Sequence, residues 1–199
     1  MLLGAAQLDG DDAAVARDAH QRRGVAEGGV EVGGRQGHGH MQPAGQTGEM
    51  PRLLVVHHTP SPPMQALLEA VRDGASHEEL AEVEVVLRPA LSATASDLLA
   101  ADGVVLGTPA NIGYMSGALK HFFDTVYYPT LDAGAGTPFG FYVHGGDDVT
   151  GAVRSIERVT TGLSWRQVAA PVLVTGPVGR EQTEACRELG GTVAVSLLS

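Results

Sequence analysis

The chain has 199 residues, 43% of them hydrophobic and 5% aromatic, with a formal charge of −10. That length accommodates one domain with an appendage, and the hydrophobic share suffices for a sizeable core. Acidity of this size excludes general nucleic-acid binding, which rests on phosphate neutralisation, but does not choose among small molecules, protein partners and plain solubility.

No run approaches the ~18 continuous apolar residues of a membrane span. The single cysteine, Cys186, excludes an internal disulfide framework and fits a reducing, cytoplasmic compartment.

Residues 1–49 are dominated by Gly, Ala, Asp and Gln, contain no aromatic residue and show no sustained apolar period. They lack the basic start and apolar stretch of a signal peptide. Met50-Pro51 then leads straight into Arg52-Leu-Leu-Val-Val-His57, a strong strand pattern. The expected organisation is a disordered tail or upstream sequence over 1–49, with Met50 the physiological start, and one folded domain over 50–199. His20, His38 and His40 fall in the first segment, and their spacing lacks the further ligands of a metal site. No metal is expected.

From residue 52 onward, strand-like runs alternate with helix-like patterns at short intervals. The first strand covers 52–57. A proline-rich loop leads to a helix near 64–74, with Met64, Leu67, Leu68 and Val71 on one face. The second strand lies near 83–88, followed by a helix capped by Thr94 or Ser96. The third strand is 103–107, and the loop 108–116 leads to a helix over about 116–126 that stops before Pro129.

A fourth strand spans 138–144 and ends in Gly145-Gly146-Asp147-Asp148. The helix over 149–163 turns Val153, Ile156, Val159 and Leu163 inward. A fifth strand near 168–174 and a last helix from 180 complete the chain, the helix weakening past Gly190-Gly191. Five strands alternating with helices predict an α/β, three-layer, doubly wound parallel sheet in the order 2-1-3-4-5.

In such sheets ligands settle beyond the carboxyl ends of the strands, which singles out three loops. The first is His58-Thr-Pro-Ser-Pro-Pro-Met64. A helix start directly after a strand offers unpaired amides and a positive dipole end to an anion. Thr59 and Ser61 add hydroxyls, Pro63 suits the first helical position, and the three prolines subtract amide donors. The donors left are the amides of Thr59, Ser61, Met64 and Gln65, the two hydroxyls and the Gln65 side chain.

The second loop, with Pro109, Ala110, Asn111, Ile112 and Gly113, is small and nearly uncharged, suited to a flat apolar ring. Asn111 can donate to and accept from a ring edge, Ile112 and Tyr114 can pack on a face, and Ser116 can cap the helix. The third holds His144, Gly145, Gly146 and Asp147. The glycines permit close backbone approach, and Asp147 or Asp148 can cap the next helix.

Lys120 and Asp124 form an i, i+4 surface pair, Tyr127 and Tyr128 suit core or interface packing, and Cys186 reads as a small buried hydrophobe.

Three stretches carry a family resemblance: Leu53-Leu-Val-Val-His-His-Thr-Pro-Ser61; Gly107-Thr-Pro109 with Gly113-Tyr-Met-Ser-Gly-Ala-Leu-Lys120, Phe123 and Asp124; and the Gly145-Gly146 turn. Region 50–199 resembles the flavodoxin-like FMN-binding superfamily, most closely its NAD(P)H-dependent FMN reductase and quinone reductase branch. The resemblance implies that Thr59, Ser61, Pro62, Pro63 and Met64 hold the FMN phosphate. It places Pro109 to Gly113 along the isoalloxazine and His144 to Asp147 on its other side.

It further implies hydride transfer from NAD(P)H through FMN to a quinone or similar small-molecule acceptor, and a homodimer or tetramer. Two other readings stay open: a flavodoxin-type single-electron carrier, and a binding module without cofactor. The departure from the family lies in the prolines of the first loop, where its members have Ser, Thr and Gly.

Overall fold

The computed structural model describes residues 50–199. The expectations for 1–49, including the Met50 start and the three histidines, lie outside the described residues.

The strand β1 (Arg52–His57) is followed by α1 (Pro62–Ala75), a short 3-10 turn at Glu78–Leu80, β2 (Glu84–Pro89) and α2 (Ala95–Leu99). Then come β3 (Gly103–Asn111), β4 (Tyr114–Met115), α3 (Gly117–Thr130), β5 (Pro138–Gly145) and α4 (Thr150–Gly162). The chain ends with β6 (Arg166–Gln167), β7 (Val172–Thr175) and α5 (Arg180–Val195).

The sheet runs β2-β1-β3-β5, with β6 and β7 both parallel to β5. Taken together, β6 and β7 are the expected fifth strand, so the order matches the doubly wound 2-1-3-4-5 pattern. They are separate because two residues of β5, Gly140 and Phe141, face the four residues Val168 to Pro171. Pro171 has no amide to give to a ladder, and strand interiors reject it for that reason. A cleft of about 560 Å³ opens beside the break, between residues 168–174 and α5.

Alternation along the buried strands builds two cores. Leu54, Val56, Val104 and Leu106 face Leu119, Phe122, Phe123 and Ile156 on α3 and α4. Leu53, Val55, Val105 and Tyr142 face Met64, Leu67, Val71, Cys186 and Leu189 on α1 and α5. The inward residues read from the helical spacing of α1 are all buried. Of those read on α4, Ile156 and Leu163 are buried, while Val153 and Val159 pack at its margin.

Several boundaries differ from expectation. Helix α3 includes Pro129 in its last turn, giving up one amide bond to the preceding turn; the Thr130 hydroxyl donates to Val126 O at 2.8 Å. Strand β3 runs four residues further than the 103–107 pattern, since β4 folds back to pair with it. Helix α5 passes through Gly190-Gly191 without a break.

The reason is close packing: a Cβ on Gly190 would lie 2.1 Å from Val71 O on α1, and one on Gly74 would lie 1.9 Å from Arg187 O on α5. Backbone approach of this kind leaves no room for a side chain, so the helix accepts the propensity cost of glycine.

Two outcomes follow. Gly190→Ala should destabilise the fold by about 3 kcal/mol, the upper part of the overpacking range, read as a lower urea midpoint. Cys186 is fully buried, and burial pushes its thiol up to about 12. The native protein should therefore resist iodoacetamide at pH 8 and become alkylated only on unfolding.

Candidate functional site

The carboxyl ends of β1, β3 and β5 are neighbours, with His57 beside Gly107 and Pro109 beside His144. The three loops singled out from the sequence therefore leave one rim of the sheet. The amide of His58 donates to Gly107 O at 2.9 Å, so the first and second loops are joined at their roots. A Cβ on Gly145 would sit 3.2 Å from that of Ala110, so the second and third loops touch.

In the first loop Ser61 is the N-cap of α1 in an extended conformation, but its hydroxyl makes no capping bond. Pro62 and Pro63 open the helix, where missing amides cost little. The amides of Thr59, Ser61 and Met64 have no hydrogen-bond partner among the described residues. The Gln65 donors counted from the sequence are engaged: its amide donates to Ser61 O at 3.0 Å and its side chain to Glu69 Oε1 at 2.8 Å. His57 Nδ1 lies 2.8 Å from Thr59 Oγ1, and His58 Nδ1 is buried with no partner. Burial, and then the charge of His58, holds His57 below the ordinary histidine value. Three free amides and an unused hydroxyl at a positive helix end fit a phosphate.

The second loop is a hairpin rather than a coil. Ala110 pairs with Met115 and Asn111 with Tyr114, so Ile112 and Gly113 form the turn, at φ +50° and +70°. Positive φ at both positions is the sign pattern of a type I′ turn. Glycine or asparagine suits that geometry, whereas a β-branched residue is strained there. Asn111, Ile112, Gly113 and Tyr114 are all exposed, while Pro109 is buried and Ala110 half-buried.

The hairpin is anchored by side chains and backbone to which the sequence alone assigns no role. Thr108 is buried; its hydroxyl accepts from the Ser116 amide at 3.1 Å and donates to Pro109 O at 2.9 Å. Ser155 of α4 accepts from the Met115 amide at 3.4 Å. Gly151 meets the turn itself, for its Cβ would lie 1.9 Å from Gly113 O. None of these has a local sequence signature, since each is defined by a distant partner. Ser116 caps α3 as expected, accepting from the Leu119 amide at 3.2 Å.

In the third loop His144 Nε2 is 2.8 Å from Gly176 O, which ties its ring to the exit of β7. Gly145 is buried against Val149 and Asp148, whereas Gly146 has open space where a side chain would be. Of the two acidic residues, Asp148 serves the start of α4, accepting from the Thr150 amide at 2.9 Å and its hydroxyl at 2.6 Å. Those bonds hold its carboxyl below the ordinary value. Asp147 is exposed.

Lys120 pairs with Asp124 on the outer face of α3. Tyr127 packs against the core and Tyr128 is exposed, the two rings meeting edge to face. Among the described residues no group of three or more His, Cys, Asp and Glu is placed to hold a metal, and no helix is long and apolar enough to cross a membrane.

A parallel sheet between two helical layers, with three touching loops at its carboxyl rim, defines a flavodoxin-like α/β domain. Residues 71–178, more than half of the chain, match the NADPH-dependent FMN reductase family, and the chain belongs to that family. Membership gives FMN as its cofactor. The matched stretch begins inside α1, so the proline-bearing first loop lies ahead of it.

A protein of Aquifex aeolicus named flavodoxin is 28% identical over 172 residues, covering 73% of this chain and 86% of that one. Among solved structures, a flavodoxin from the domain Archaea superposes with a TM-score of 0.64 at 18% identity, covering 74% of this chain and 99% of that one. A WrbA-like flavodoxin from Agrobacterium tumefaciens gives 0.60 at 18% identity, covering 74% and 98%.

Replacing the strained isoleucine should separate stability from fit. Ile112→Asn is expected to raise stability by about 1 kcal/mol, the lower end of the cost of a strained backbone, read in urea melts.

Proposed function

We propose that the chain is an FMN-dependent oxidoreductase that carries two electrons from NAD(P)H to a quinone or similar small acceptor. The observation that carries this reading is the convergence of three loops at one rim, the first with unpaired amides at a helix start, in a member of an FMN reductase family. Bound FMN supplies the chemistry, accepting hydride from the nicotinamide and delivering it to the acceptor.

The residues do the rest. Thr59, Ser61 and Met64 hold the phosphate through amides and hydroxyls, with Pro62 and Pro63 fixing the direction in which α1 starts. Pro109, Ala110 and Asn111 border one side of the ring system, and Ile112 with Tyr114 offers apolar cover to its face. Gly146 admits close backbone approach from the other side, flanked by His144, Gly145 and Asp147. The one hydroxyl beside an imidazole among these loops, Thr59 with His57 at 2.8 Å, lies in the phosphate loop. Amides and water serve the ring system, and nicotinamide and acceptor occupy its face in turn.

Titration of FMN with the cofactor-free protein, followed by flavin fluorescence, should show saturable quenching. The loaded protein should then oxidise NAD(P)H with a quinone present. Protein that stays colourless and leaves FMN fluorescence unchanged would end this reading. Ile112→Asn should weaken FMN binding about threefold while leaving the fold intact, a loss of under 1 kcal/mol. An unchanged Kd would remove Ile112 from the ring face.

A second reading, a single-electron carrier, is favoured by the Aquifex relative's name and by the charge of −10. FMN binding without NAD(P)H turnover would select it.

A further inference from the structure

We propose that His57 supplies positive charge at the FMN phosphate while keeping the Thr59 hydroxyl available as a donor, and that the unpartnered Nδ1 of His58 turns to the same phosphate. This rests on the FMN reading above and deepens it at one subsite.

The first loop is short of donors, because Pro60, Pro62 and Pro63 have no amide hydrogen and the Gln65 groups are engaged. It is also short of fixed cations. Between Arg52, paired with Glu84, and Arg72, near the far end of α1, the sequence has no lysine or arginine. Neither the 108–116 segment nor Gly145 to Asp148 has one. A phosphate carrying about −1.5 to −2 would meet in this loop two imidazoles and no lysine or arginine. His144 is already committed to Gly176 O. His58 Nδ1 is out of contact with solvent and lacks a partner, which is costly for a buried polar atom unless a ligand group answers it.

His57 acts through its contact with Thr59. A protonated imidazole carries hydrogen on both nitrogens, so Nδ1 then donates to Thr59 Oγ1 and the hydroxyl hydrogen is free for the phosphate. Of the two neutral tautomers, the one with its hydrogen on Nδ1 donates likewise, whereas the one with its hydrogen on Nε2 takes the hydroxyl hydrogen and removes the donor; a nearby dianion disfavours the latter and favours the protonated ring.

The surroundings leave this switch to the phosphate. On β2, Pro89 is beside His57, and Arg88 is engaged with Asp97. On β3, Gly107 and Thr108 do not titrate in this range. On β5, Tyr142 lies over Gly107 and burial raises its hydroxyl far above neutrality. The inward face of α1 presents Met64, Leu67, Leu68 and Val71, while its Glu69 is exposed and accepts from Gln65.

Burial and His58 hold free His57 below its ordinary value, so at pH 7 it is mostly neutral. An arriving dianion raises it. Binding therefore takes up a proton from solvent, and affinity increases as pH falls.

The test is a fluorescence titration of the cofactor-free full chain with FMN and, in parallel, with riboflavin, which lacks the phosphate. Measurements run from pH 8.5 to 6.5, above the phosphate's own second ionisation near about 6. The FMN Kd should tighten about tenfold over that range, while the riboflavin Kd stays level. Calorimetry in two buffers of different ionisation heat should show proton uptake with FMN only.

His57→Gln should flatten the FMN profile and His58→Gln should weaken FMN binding severalfold, each leaving riboflavin binding as it was. The wild-type profile and calorimetry stand even if a variant fails to fold. A ratio of FMN to riboflavin affinity that is independent of pH, with no proton uptake, overturns the inference and leaves the FMN reading in place. Failure to bind either flavin overturns both.

Discussion

The parallel register of β1, β3 and β5 is the constraint on which the site depends. Each strand is buried on both faces, so a slip of one residue would exchange the two cores: Leu53 and Val55 would face α3 and α4, and Leu54 and Val56 would face α1 and α5. That penalty fixes where each strand stops, and hence where its loop begins. His57, Pro109 and His144 reach the rim together because hydrophobic residues far below them leave no other alignment.

Above that rigid floor the loops are held in different ways. The hairpin is held from beneath by the buried Thr108 hydroxyl and from the side by Ser155 and Gly151, which set its tip against α4. The loop before α1 has the opposite character. Three prolines restrict its backbone, while several of its polar groups are left without partners. A segment with few conformations and unmet hydrogen-bonding capacity is pre-organised, which reduces the ordering cost of taking up a ligand.

Most of the domain was legible in the chain. Apolar runs such as Leu53 to Val56 and Val104 to Leu106 have no polar interruption, as strands covered on both sides must. The α1 spacing of Met64, Leu67, Leu68 and Val71 admits only a helix packed on one face. What was missed depends on partners remote in sequence. The extension of β3 to Asn111 follows from pairing with Tyr114 and Met115, and neither half looks like a strand alone. Ile112 even argues against the tight turn it occupies.

The break in the fifth strand needed the register with β5 to be seen, although Pro171 marked the place. At the rim, the family pattern pointed to the hydroxyls and glycines of the loops. The contact of His57 with Thr59 and the unpartnered nitrogen of His58 appear only once side chains have positions.

The interrupted outer strand has a consequence for how the protein behaves among its own copies. A sheet margin of unbroken amides and carbonyls invites another chain to zip along it. Here the margin is two residues of β6, a detour ending in Pro171, and four residues of β7, the last stretch flanked by α5. An incoming strand would find no continuous ladder to join on this side of the sheet, so what reads as an imperfection in the fold also closes one of its two margins.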